Sequence, residues 1–261
     1  MANKVKEMWA ANKAVVNGWL AIPSAFSAEM YAQCGWDSVT VDMQHGVQDY
    51  QSCVACFQGM QPHNVTPMVR VPWLEPGIIG KVLDAGAYGV ICPMVNTAEE
   101  ARALVQYSKY PPKGTRSNGP IRAGSYGSSG NYQKTANDEI LVIPMIETQT
   151  ALDNLEAILD VPGIDGIYIG PSDLGFSLGM EPKLDREEPE IMAIYKRLLK
   201  ETKKRGIAAG LHNGTAAYAN KMIKMGFKLV TISNEVGLMQ VAAKAAVIEA
   251  RGSKEARGSK K

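Results

Sequence analysis

The chain has 261 residues, of which 46% are hydrophobic and 21% charged, enough apolar material for a sizeable core and too little charge for a disordered polyelectrolyte. Its 28 lysines and arginines against 26 aspartates and glutamates leave a net charge of +2, which argues against a protein built to bind nucleic acid or another polyanion. No apolar run reaches the ~20 residues that cross a bilayer, and four cysteines provide no disulfide framework for a chain of this size.

The N-terminus, MANKVKEMWAANKAVVNG, is basic but has neither a signal-peptide apolar stretch nor a cleavage site, so a cytoplasmic protein is expected. From there, short apolar runs alternate with longer segments of helical period. Strands are predicted over 19–23, 38–42, 66–71, 89–93, 140–147, 166–169, 208–211 and 229–233. The helices between and after them are predicted over 25–34, 49–60, 76–85, 97–108, 148–159, 186–204, 215–225 and 235–250. Residues such as Asn96 and Thr148 stand where helix caps belong. Eight β-then-α units of roughly 30 residues each fill residues 1–250 as an α/β fold, a single-domain TIM (β/α)8 barrel. A doubly wound sheet is the alternative, but the first strand leads into AIPSAFSAEM, with no glycine-rich dinucleotide turn.

Three segments need separate readings. Cys53 and Cys56 form a C-x-x-C, yet they lie in a segment of helical period without a second ligand pair, so buried helix packing is expected. Residues 110–138 are rich in Gly, Ser and Pro and are expected to form a long functional loop, either a lid or an oligomer contact. The last eleven residues, RGSKEARGSKK, carry five cations and one carboxylate. That local +4 leaves −2 for residues 1–250, and residues 251–261 are expected to form a disordered basic tail without a part in the chemistry.

In a barrel of this kind, reactive groups belong at the C-terminal strand ends. Those ends supply Asp42 and His45, Arg70, Glu147, and Asp173 in IGPSDLG, with His212 a further candidate after the seventh strand. Glu147 and Asp173 are hard oxygen donors that could share a divalent ion, with α-keto acid oxygens completing its shell. Such chelation polarises a carbonyl and favours the enolate. Arg70 is the cation to set against that enolate oxygen. An imidazole exchanges protons near neutrality, so His45 is the candidate base, with Asp42 close enough in sequence to orient it. No strand end carries a lysine for a Schiff base, and GSYGSSG lacks the Lys-Ser/Thr of a phosphate-binding loop.

The segments NGWL, VDMQHG, PMVRVPW, KVLDAGAYGVICPMVNTAEEA, YPPKGTR, the Glu of PMIET, ALDNLEAILDVPGIDGIYIGPSDLGFSLG and GFKLVTIS resemble, in register from Asn17 to Met239, the HpcH/HpaI family of class II pyruvate aldolases. The resemblance implies a TIM barrel, commonly a homohexamer exchanging its last helix. It implies a metal-dependent lyase that reversibly cleaves a 4-hydroxy-2-oxo acid, such as 4-hydroxy-2-oxoheptanedioate or a 2-keto-3-deoxy sugar acid, to pyruvate and an aldehyde. On this likeness Glu147 and Asp173 would hold the cation, most often Mg²⁺ or Mn²⁺, with Co²⁺ or Zn²⁺ as alternatives. Arg70 would stabilise the pyruvate enolate, and His45, oriented by Asp42, would be the general base. The amides of Ser172 and Asp173 would receive the pyruvate carboxylate, Trp19 would border the aldehyde pocket, and Asp84 would stand near the site of an adjacent subunit. The chain departs from the family pattern at Gln44, usually Glu, at Met145, often Gln, and at Asn234, usually Asp. Oxaloacetate decarboxylation on the same site, a catalytically silent keto-acid-binding barrel, and an acyl-CoA lyase remain alternative readings. Arg116 and Arg122 are either ligands for a second carboxylate on the acceptor or solvated loop residues.

Overall fold

The computed structural model describes residues 2–126 and 131–251. In chain order its elements are α1 (Lys4–Ala10), β1 (Val15–Leu20), α2 (Ala25–Ala32), β2 (Ser38–Asp42), α3 (Tyr50–Met60), β3 (Thr66–Arg70), α4 (Pro76–Asp84), β4 (Gly89–Cys92) and α5 (Ala98–Ser108). There follow α6 (Ile121–Tyr126), α7 (Tyr132–Glu139), β5 (Leu141–Pro144), α8 (Gln149–Asp153), α9 (Leu155–Leu159), β6 (Gly166–Ile169) and α10 (Pro171–Ser177). The chain continues through α11 (Pro189–Lys204), β7 (Ala208–Asn213), α12 (Ala216–Met225), β8 (Leu229–Ile232) and α13 (Glu235–Arg251).

The eight strands form one sheet in the order β5-β4-β3-β2-β1-β8-β7-β6, paired in parallel throughout. A further parallel bridge from Met145 to Tyr168 brings the two ends of that sheet together. The result is the TIM-like (β/α)8 barrel that the alternation in the sequence predicts. Side chains alternate between two cores because strand residues point to opposite faces at period two. Val15, Trp19, Met68, Ile91, Leu141, Ile143, Met145, Tyr168 and Leu229 fill the interior. Their neighbours, among them Val39, Val41, Val69, Val90, Val142 and Ile167, pack outward against the helices. The helices begin soon after the strands because side-chain oxygens satisfy their first N–H groups: Ser24 caps α2, Thr148 caps α8 and Thr215 caps α12. Asp49 with Ser52, and Thr97 with Glu100, form reciprocal capping boxes on α3 and α5.

Several boundaries differ from expectation. The first strand runs over Val15–Leu20 rather than 19–23, because Asn17, a residue that usually interrupts a strand, is satisfied inside the barrel. Its amide donates to Thr231 Oγ1 at 2.9 Å and its carbonyl accepts from the hydroxyls of Ser38 and Thr40 at 2.7 and 3.1 Å. The fifth strand is shorter than predicted, and the helix over 148–159 is divided at Asn154. The sequence reading missed α1, which closes the N-terminal end of the barrel with buried Val5 and with a Trp9 Nε1 bond of 2.9 Å to the Lys228 carbonyl.

The described residues of the segment 110–138 lie toward the N-terminal end of the barrel, and residues 127–130 lie outside the described residues. The segment contains α6 and most of α7, and it is tied to the N-terminal end of the barrel. Lys109 Nζ donates to the Asn137 carbonyl at 2.9 Å, and Lys113 pairs with Asp138 at 2.8 Å. Cys53 and Cys56 are buried in α3, as the helix reading expects. The expected basic tail lies outside the described residues apart from Arg251, which closes α13. Among the described residues no helix is long and apolar enough to cross a membrane.

Ile143 is fully buried in the barrel interior, where closing strands limit relaxation. Ile143→Ala is expected to lower unfolding free energy by about 2–5 kcal/mol, measured by urea titration.

Candidate active site

Asp42 and Arg70 are register partners at the ends of β2 and β3, which places their side chains next to each other. Arg70 Nε donates to Asp42 Oδ1 at 2.9 Å and Nη2 donates to Oδ2 at 2.6 Å. The Trp19 indole N–H donates to Oδ2 at 3.0 Å, and the backbone N–H groups of Gln44 and His45 donate to Oδ1 at 3.1 and 3.3 Å. Burial alone pushes the Asp42 carboxyl up, but the Arg70 bonds and charge, the Trp19 indole and the His45 backbone together hold it below its ordinary value. Arg70 is also stacked over Trp19, with Cζ 4.9 Å from the ring centroid.

This arrangement corrects the expectation that Asp42 orients the His45 imidazole. The carboxylate takes the backbone N–H of His45, while the ring is exposed and makes no hydrogen bond among the described residues. Trp19, expected to border a pocket, is only 2% exposed and braces the Asp42–Arg70 pair from inside the barrel. Gln44 follows in the same turn, half-buried, and its buried Oε1 lacks a partner among the described residues.

Glu147 lies beyond β5 and is 3% exposed. Its Oε1 accepts the Met94 N–H at 2.8 Å, a donor aimed by the left-handed backbone of Met94, whose φ is 56°. Its Oε2 lies over Gly170, where a Cβ would come within 2.5 Å of it, so a side chain at that position would displace the carboxylate. Burial pushes the Glu147 carboxyl up to about 7, and the nearby Asp173 charge adds to the rise against the Met94 N–H and the Arg70 charge. Asp173 itself is exposed in the first turn of α10, one residue after half-buried Ser172. Buried Arg186 fixes that short helix by donating Nε to the Pro171 carbonyl at 2.9 Å.

The structure therefore brings Asp42, Arg70, Trp19, Glu147 and Asp173 to one end of the barrel. The Asp173 charge raises the Glu147 carboxyl, and a hard cation shared by the two would relieve that repulsion, so the donor set fits a hard divalent cation. A cation held by two carboxylates alone would keep positions open for ligand oxygens.

Asp84 is not part of this cluster. It ends α4 at the opposite end of the barrel and pairs with Arg116 at 2.6 Å. Arg116 is buried, with Cζ 4.4 Å from the Tyr110 centroid, so it is neither solvated nor open to an acceptor carboxylate at this chain's own strand ends. Arg122 likewise bonds the Ala85 carbonyl, and Gln61 Oε1 at 3.0 Å. The sequence reading missed Tyr168, which faces the interior two residues before Gly170 and was visible only as a period-two position. His212, a further candidate from the sequence, stands edge-on to Trp19 with ring centroids 5.0 Å apart.

The family model described as HpcH/HpaI aldolase/citrate lyase matches residues 17–240. The chain belongs to that family. It is 36% identical over 249 residues to the hydroxypyruvate/pyruvate aldolase of Rhizorhabdus wittichii, covering 95% of this chain and 99% of that protein. It is 33% identical over 247 residues to the 4-hydroxy-2-oxo-heptane-1,7-dioate aldolase of Salmonella heidelberg, covering 94% and 93%. Among solved structures, an HpcH/HpaI aldolase/citrate lyase family protein from Burkholderia cenocepacia superposes with a TM-score of 0.90 at 29% identity, covering 96% of this chain and 100% of that one. Aldolase-named relatives of full length within this family make the chain a carbon–carbon lyase.

Arg70→Met would leave Asp42 buried without its counterion, a loss expected to cost about 3–5 kcal/mol at pH 7. In the wild type the depressed Asp42 value contributes stability above the ordinary carboxylate range, and that contribution is lost as pH falls through the folded-state value. In the variant, burial raises the carboxyl, so acidification removes the penalty instead. Urea titrations at pH 7 and at pH 4.5 are expected to show the gap between the two proteins narrowing at the lower pH.

Proposed function

We propose that the chain is a divalent-metal-dependent aldolase that reversibly cleaves a 4-hydroxy-2-oxo acid to pyruvate and an aldehyde. The observation that carries this reading is the buried Glu147, its carboxyl raised by burial and by the Asp173 charge, with the fixed Arg70 guanidinium also within electrostatic reach. When bound by Glu147 and Asp173, a divalent cation supplies Lewis-acid polarisation of the 2-oxo group.

The protein's own groups account for the remaining requirements. The N–H groups of Ser172 and Asp173 lie in the first turn of α10, where amides lack intrahelical acceptors, and they receive the keto-acid carboxylate. Arg70 has two nitrogens committed to Asp42, while Nη1 has no hydrogen bond among the described residues and is assigned to the charge that develops on the 2-oxygen. In the cleavage direction a base takes the C4 hydroxyl proton, the C3–C4 bond breaks, and its electron pair enters the pyruvate enolate as the aldehyde leaves. Protonation at C3 then yields pyruvate. His45 is assigned as the base, acting without orientation from Asp42. Gln44, in the same turn, is assigned to substrate contact through its unpartnered carbonyl oxygen.

A homo-oligomer, hexameric by family likeness, supplies the context for Asp84, which is assigned to the site of a neighbouring subunit. Support comes from α13, where Val241, Val247 and Ile248 are exposed and Glu235 is the buried residue. Four free cysteines fit the reducing cytoplasm.

Two measurements test these readings. Pyruvate in D₂O with the protein and Mn²⁺ or Mg²⁺ is expected to lose its methyl proton signal. Glu147→Gln and Asp173→Asn are expected to abolish that exchange and weaken Mn²⁺ binding in calorimetry. Absence of exchange by folded, metal-loaded wild type would overturn the aldolase reading. Ile248→Asp is expected to reduce the assembly mass in light scattering while leaving the monomer folded.

A further inference from the structure

The placement of Arg70 depends on Trp19, because the indole touches both members of the ion pair. It donates to Asp42 at 3.0 Å and lies under the guanidinium at 4.9 Å. What holds the indole has no part in the chemistry assigned above. Tyr168, fully buried on β6, stacks on Trp19 with centroids 5.6 Å apart and planes 18° apart. His212 on β7 meets the same ring edge-on at 5.0 Å. These two side chains are joined to each other, Tyr168 Oη to His212 Nδ1, at 3.0 Å.

The contact does not end there. Tyr168 Oη bonds Thr231 Oγ1 at 2.6 Å, and Thr231 Oγ1 accepts from Asn17 at 2.9 Å. A polar chain thus connects β7, β6, β8 and β1 through the barrel, whereas the interior on β3, β4 and β5 is lined by Met68, Ile91, Leu141 and Ile143. Gly210 leaves space for the tyrosine: a Cβ there would lie 2.8 Å from Tyr168 Cδ2. Polar groups buried in this way cost stability unless every partner is met, and once met they hold one geometry rigidly. The His212 ring is neutral at neutral pH, since burial, with the Arg70 charge adding, pushes it down to about 4 against Asp42 and a Ser233 backbone bond. It therefore contributes shape and hydrogen bonding beside Arg70 without adding a second positive charge.

We propose that Tyr168 and His212 are positioning residues of the lyase site, which clamp Trp19 and through it fix the Asp42–Arg70 pair against the reacting oxygen. The proposal rests on the assignment of Arg70 in the aldolase reading. A small displacement of a stabilising group costs rate more than binding when that group acts on charge formed only during reaction.

The test follows metal-dependent pyruvate C3 exchange and its KM in wild type, Tyr168→Phe, Trp19→Phe and the double variant. Tyr168→Phe retains the stacked ring and loses the hydroxyl. The expected result is a fall in kcat of about tenfold with KM for pyruvate within about twofold. The same change is expected to have little further effect in the Trp19→Phe background, since coupled residues are non-additive. Thr231→Val and Thr231→Ser provide a second pair should Tyr168→Phe not fold: loss of kcat in the valine variant with retention in the serine variant supports the proposal. An unchanged kcat in Tyr168→Phe, additive losses in the double variant, or equal kcat in the two Thr231 variants overturns it. An inert wild type instead removes the aldolase reading on which the proposal stands.

Discussion

A guanidinium and a carboxylate buried side by side at the barrel mouth constrain the rest of the site. Removing two charges from water costs several kcal/mol per ion, repaid only where geometry is good and the remaining lone pairs are filled. Here the fork of Arg70 meets both oxygens of Asp42, and the indole of Trp19 with two backbone N–H groups supplies the other donors. Each of those donors is then fixed in turn. The turn after β2 curls around Asp42 to present the amides of Gln44 and His45, and Trp19 must lie flat enough to reach Oδ2. The pair therefore organises a backbone turn and an aromatic side chain as well as a charge.

That organisation explains which parts of the site were legible in sequence. Period-two runs ending in VDMQHG, PMVR, PMIE and IGPSDL place Asp42, Arg70, Glu147 and Asp173 at strand ends with no knowledge of contacts. Partner choice is different, because it depends on register. Asp42 and Arg70 are 28 residues apart in the chain and become neighbours only when β2 and β3 pair at that offset. Sequence proximity instead favours His45, three residues away, and the favoured pairing proves to be with its backbone alone. Arg116 shows the same effect at larger scale: in sequence it sits in a polar loop, yet Asp84, Tyr110 and Tyr132 surround it.

The first strand carries a related lesson. VVNGWLAIP gives no clean period, and Asn-Gly ordinarily marks a turn. In the barrel, Asn17 is instead held by groups from β2 and β8, all distant in sequence. The strand thereby begins four residues earlier and ends three earlier than expected, and Trp19 lies in the interior. Local propensity gave way to hydrogen bonds that exist only in the closed sheet. Likewise, nothing in the sequence around Met94 announces a left-handed backbone, yet that conformation is what delivers its N–H to Glu147.

Charge placement then connects the fold to the proposed chemistry. Because Asp42 is the counterion of Arg70, the pair adds a directed donor to the site, and the Arg70 charge still reaches Glu147 and His212. Glu147 and Asp173 have no such match, and the rise of the Glu147 carboxyl to about 7 expresses the cost of holding it there. A site built in this way is short of positive charge on one side and supplied with a fixed cation on the other. On the proposed reading a divalent ion removes the deficit, and an anionic keto acid bound there finds Arg70 already oriented. On the same proposal the polar chain behind Trp19 opposes reorientation of Arg70 when charge moves onto the reacting oxygen, which is where a preorganised donor lowers a barrier.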